Sequence, residues 1–204
     1  MADKVLLFSR DVLADVLQNQ EQTALRKIDA FNVNNLLNTS TEDLVVYFTE
    51  EFRIKPIMLL DGQTTVDQRE ARIDISQDRS RFVNDRSRPY YVDGTKVTFY
   101  VPYEGDMFLF YCRPSTFDFN PPRSVVSQEN VQFVFEIMDH NAEAVRSKFD
   151  NDLDHLNNYL NWIKGDVEKF TSDLSNKIRQ RIEWRKDKIL KDQGLVSSLG
   201  FPLK

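Results

Sequence analysis

The last third of the chain carries the strongest constraint on its fold. No proline occurs between Ala142 and Gln193, and a seam of apolar residues runs through that segment: Leu153, Leu156, Leu160, Ile163, Val167, Phe170 and Leu174. Their alternating three- and four-residue spacing is a heptad a/d pattern. A helix with such a stripe needs other helices to cover it. Uninterrupted, the run of about 50 residues makes a rod about 75 Å long. Gly165 is the weak point, since glycine costs about 1 kcal/mol relative to alanine inside a helix. A tight turn there would give a helical hairpin. The apolar phase passes through Gly165 unchanged, whereas a turn would reset it, so one continuous helix is expected, with Gly194 as its C-terminal cap.

A rod of that length outruns a compact domain of this size. The expectation is therefore self-association through the seam, with a dimer as the simplest assembly. The alternative is that the N-terminal helices cover the stripe in cis. Three such helices are legible. Ser9 is placed to cap one carrying Val12, Leu13, Val16 and Leu17. A second spans Ala24 to Leu37, and the Ser40–Asp43 cluster offers caps for a third that stops before Pro56.

The middle of the chain changes to period two. Ala71, Ile73 and Ile75 alternate with polar residues, as do Val97, Phe99 and Val101, and then Val131, Phe133, Phe135 and Ile137. Pro102 to Asp106 reads as a turn, with Phe108, Phe110 and Cys112 as the returning strand of a hairpin. Strands and helices do not alternate, which argues against a doubly wound parallel fold. The expected class is α+β: N-terminal helices and an antiparallel sheet over residues 1–139, a long helix over 140–194, and an apolar stub over 195–204.

Few function classes find support in the residues. There is no P-loop or GxGxxG, and 6 glycines leave little material for a phosphate-cradling loop. His140 and His155 lack the spacing and cysteine partners of a zinc site. Cys112 is the single cysteine, which fits a buried strand position in a reducing compartment. Glu104 and Asp106 fit turn chemistry better than a catalytic pair, and Glu183-Trp184-Arg185 echoes a nuclease motif but lies on the long helix. No catalytic residue, metal ligand or cofactor is therefore assigned, and a metal-dependent hydrolase or nuclease is the weakest reading. No apolar run is long enough to span a membrane and no signal peptide is seen, so the expected setting is the cytoplasm.

Two basic features make a nucleic-acid-binding regulator the alternative to an interaction module. One is a short duplication that brings together Arg79, Arg81, Arg86 and Arg88, interleaved with Asp78 and Asp85. The other is the end of the long helix, where Lys177, Arg181, Arg185 and Lys188 belong to a strongly basic stretch. Guanidinium groups bind oxyanions bidentately, and helix C-termini favour cations even without a ligand. The net charge of −5 argues against binding over the whole surface but not over a patch.

Four segments together resemble a known class of protein: Val97 to Asp106, Arg113-Pro114-Ser115-Thr116, Asn120-Pro121-Pro122, and Arg185-Lys186 leading to Leu195–Leu203. Their order is similar to that in the N-terminal, non-catalytic part of uncharacterised bacterial multidomain proteins associated with phage defence or restriction-like effectors. The resemblance implies a sensing or assembly unit that positions a downstream effector domain or partner. The apolar ending Leu199 to Lys204 fits such a junction or a docked tail.

Overall fold

A computed structural model describes residues 4–78, 82–139 and 141–198. The chain enters through β1 (Val5–Leu6) and then turns at Phe8, whose φ of 51° is left-handed. That conformation costs energy for a non-glycine residue. It is held because the ring is buried and stacks on Tyr159 at 4.9 Å. Ser9 does not cap a helix; its hydroxyl donates to the Leu6 carbonyl at 3.1 Å. A short β2 (Asp11–Val12) comes first, and α1 (Leu13–Ala30) follows.

The helix expected from Ala24 is part of α1, because Leu13, Leu17, Ala24 and Ile28 form one buried stripe. α2 (Val33–Asn38) is capped by Asn32, whose side chain accepts from Asn35 N–H at 3.1 Å. α3 (Thr41–Glu51) is capped by Ser40 as expected, through a 3.0 Å bond from Asp43 N–H.

With β1, the six-stranded sheet contains β3 (Met58–Leu59), β4 (Thr65–Asp74), β5 (Tyr91–Glu104), β7 (Arg123–Val126) and β8 (Asn130–Ile137). Its order is β1-β7-β8-β5-β3, and β4 pairs with the same edge of β5 beyond β3. All these pairings are antiparallel. The hairpin expected after Val101 does not form. Residues Met107–Tyr111 make a 3₁₀ turn, and β6 (Cys112–Arg113) then pairs in parallel with β2. The physical reason is burial. Leu109 and Phe110 are both fully buried, and adjacent residues of a strand would point to opposite faces. A tight helical turn puts both into the core.

α4 (Ala142–Ser198) is continuous through Gly165 and runs past Gly194. Asn141 starts it by accepting from Ala144 N–H at 2.9 Å. Its 57 residues span about 86 Å. The body is laid out along this helix rather than gathered at one end. Phe149 stacks on Phe99 of β5 at 4.2 Å, Tyr159 meets Phe8, and the later turns pack on α3, α1 and α2. One buried cluster runs from Leu7 to Ile182 and crosses the boundary expected at residue 139. His140 and the stub from Leu199 onward lie outside the described residues.

This layout corrects the expected use of the seam. Leu153, Leu156, Leu160, Ile163, Val167, Phe170 and Leu174 are all buried within a single chain. The stripe also extends to Phe149, Ile178 and Ile182. The body is itself elongated along the rod, so the N-terminal helices and the sheet cover the stripe in cis.

Candidate functional site

The basic end of α4 serves the fold. Lys177 pairs with Glu21 at 2.7 Å, Arg179 with Glu42 at 2.9 Å, and Arg181 with Asp29 at 2.5 Å. The Arg181 guanidinium beside Asp29 holds that carboxyl below its usual range. Arg185 donates to the carbonyls of Ile28 and Phe31, and Lys186 donates to the Thr39 carbonyl at 2.6 Å. These carbonyls end α1 and α2, where helices leave acceptors unsatisfied and favour positive charge. Lys188 lies over the Trp184 ring at 5.5 Å. The expected cationic contact surface is thus largely consumed in cis.

Arg185→Ala removes charge-assisted bonds to two helix-terminal carbonyls. It is expected to destabilise the chain by about 1.5–3 kcal/mol, read as a lower urea midpoint. Arg185→Lys should recover only part of that loss, because one ammonium cannot reproduce the guanidinium fork.

In the arginine-rich loop, Arg79 and Arg81 lie outside the described residues. Arg86 donates to the carbonyls of Ser76 at 3.0 Å and Asp78 at 2.9 Å, tying the loop to its own base. Arg88 stands 4.0 Å from Asp85, and both side chains are exposed.

The candidate catalytic groups are also placed in structural roles. The Asp106 carboxylate accepts from Lys55 N–H at 2.7 Å. Cys112 is buried, which pushes its thiol up to about 11 and makes it a poor nucleophile at neutral pH. His155 sits 3.6 Å from the Asp118 carboxylate. The Tyr159 hydroxyl donates to the same carboxylate at 2.7 Å, and burial raises it to about 12. This cluster pins the loop of residues 114–122 on α4, with help from Ser115 on Asp166 at 2.6 Å. Among the described residues no three His, Cys, Asp or Glu side chains converge as a metal site. No described helix is long and apolar enough to cross a membrane.

What the structure does assemble is a groove along α4, which sequence reading did not anticipate. Its first lobe, about 650 Å³, lies between β3 with its approach from Lys55 and the α4 residues Asn157, Leu160, Asn161 and Lys164. Its second lobe, about 720 Å³, lies between Thr49, Arg53 and Ile54 on one side and Glu168, Thr171 and Ser175 on the other. Pro56 borders both lobes. From Asn157 to Asn176 the helix wall is about 28 Å long. Glu104 and Gly105 close the first lobe.

The strand wall offers unpaired backbone. Leu60 N–H donates to the Pro102 carbonyl at 2.8 Å, in register with Met58 opposite Glu104. Antiparallel bonding alternates, so the N–H and C=O of Ile57 and Leu59 point away from β5. Neither residue has another backbone partner among the described residues. Across from them, Asn157 and Asn161 stand one helical turn apart with amides that bond no described residue. The Thr49 hydroxyl in the second lobe is buried without a partner among the described residues. The sequence did hold one sign of this wall: Asn157, Asn161, Lys164, Glu168, Thr171 and Ser175 form a polar stripe at helical spacing beside the seam.

Compared with known proteins, the chain matches no family model, no curated protein and no solved structure.

Proposed function

We propose that this protein is a non-enzymatic interaction module that holds an extended segment of a partner or effector in the groove along α4. The observation that carries this reading is the outward-facing backbone of Ile57 and Leu59 opposite the unengaged amides of Asn157 and Asn161. An extended peptide adds to a free strand edge through main-chain bonds, and side-chain pockets then select its sequence. Each asparagine amide can donate to and accept from a peptide backbone. At about 3.3 Å per residue, the helix wall accommodates an extended segment of about eight residues. In the setting that the resemblance to defence-associated proteins implies, that segment belongs to the effector.

The paired state of Lys177, Arg181 and Arg185 favours this reading over nucleic-acid binding. A test is selection of random eight-residue peptides displayed on phage against the full chain. The expected outcome is an enriched family of extended peptides whose affinity falls at least tenfold for the Asn157→Ala, Asn161→Ala double variant. Enriched peptides that bind this variant as well as the original chain, or no enrichment at all, would overturn the groove as the partner site.

A further inference from the structure

With the seam covered in cis, a route for self-association remains elsewhere. β4 is a ten-residue strand that pairs with β5 on one side only. Ile75 N–H donates to the Tyr90 carbonyl at 2.9 Å, continuing the β4–β5 register. By alternation, the odd-numbered residues of β4 bond to β5. The N–H and C=O of Val66, Gln68, Glu70, Arg72 and Asp74 face outward. They have no backbone partner among the described residues. A free edge of this length is a template for another strand unless something blocks it. β4 contains no proline and pairs with β5 without a bulge.

We propose that two copies of this chain join edge to edge through β4, antiparallel about a two-fold axis at Ala71. An isologous strand pair of this kind requires residues of the same parity to face each other, so few registers are available. Centring on Asp67, Arg69, Glu70 or Arg72 puts a charged residue opposite its own copy, which is destabilising. Centring on Ala71 places Glu70 opposite Arg72 twice and Gln68 opposite Asp74 twice. All four of those pairs have outward-facing backbone and exchange main-chain bonds, and the axis is occupied by a small residue. Centring on Gln68 or on Ile73 avoids like charges too, but each forms fewer bonded pairs within β4, and the former sets Val66 against Glu70. Glu70 is exposed and has no ion-pair partner among the described residues. Arg72 lies 5.5 Å over the Tyr91 ring with its outer side exposed.

The test uses the full chain in sedimentation velocity over a concentration series, with thermal melts to show that each variant folds. The original chain is expected to dimerise with concentration. E70R alone and R72E alone each replace two attractive pairs by two repulsive ones, and each should weaken the dimer at least tenfold. The two single variants mixed in equal amounts should recover dimer, because the arginine pair of one copy then meets the glutamate pair of the other. E70R/R72E in one chain should recover it as well. A monomer at every concentration, or a dimer unchanged by both single variants, would overturn the proposal. These residues lie apart from the groove, so the Asn157 and Asn161 substitutions should leave dimerisation unaltered.

Discussion

Leu156→Ala is expected to destabilise the single chain by about 2–5 kcal/mol, lowering its urea midpoint equally at low and high protein concentration. Leu156 is 0 % exposed and sits in the cluster that joins the sheet, the N-terminal helices and α4. Truncation leaves a cavity between elements that cannot collapse independently, because α4 packs on all of them along its length. The concentration independence is the decisive part. Were the seam an interface between copies, the same substitution would split an assembly and leave folded monomers of normal stability. A variant that melts normally but has lost an assembly would contradict the structure described above.

Gly105→Ala is the second large effect. Gly105 has φ of 109°, a region open to glycine and strained for any residue with a Cβ by about 1–3 kcal/mol. A Cβ there would also collide with backbone: the Pro56 carbonyl, with its carbon at 2.8 Å, and the Ile57 Cα at 2.9 Å. Backbone cannot rotate away as a side chain can, and overpacking adds about 1–3 kcal/mol. Next to it, Asp106 and Lys55 exchange two bonds, at 3.0 and 2.7 Å, that set the approach to β3. The expected result is a large fall in the denaturation midpoint together with loss of peptide binding in the first lobe. Gly62→Ala serves as the control. A Cβ there meets nothing within 4 Å, so its effect should stay within about 0.5 kcal/mol.

Local pattern was enough where the signal of an element lies in the spacing of residues a few positions apart. The Ser40 cap of α3, the period-two runs of β4, β5 and β8, and the unbroken phase of α4 through Gly165 are all of this kind, although the strands pair and α4 packs with segments distant in sequence. The hairpin expected after Val101 failed for the opposite reason. Its alternation at Phe108, Phe110 and Cys112 is genuine, but Leu109 needs burial as much as Phe110 does. That demand comes from the surrounding core. The basic stretch from Lys177 onward was legible as charge and illegible as function, because its acidic and carbonyl partners on α1, α2 and α3 are distant in sequence. The groove was missed because half of it is backbone. In the sequence, Ile57-Met58-Leu59-Leu60 is only a short apolar run, and pairing with β5 alone decides which backbone polar groups of Ile57 and Leu59 face outward.

Periodicity, caps and charge in the chain itself determined that this is an α+β protein with an antiparallel sheet, N-terminal helices and one long C-terminal helix. These are properties of spacing, and spacing is written in the sequence. Tertiary structure alone decided what covers the heptad seam and which edges stay open. A stripe from Phe149 to Ile182 demands an apolar partner, yet hydrophobic burial is non-directional. It rewards a cover from the same chain as much as one from another, and the choice falls to whichever elements the fold brings alongside.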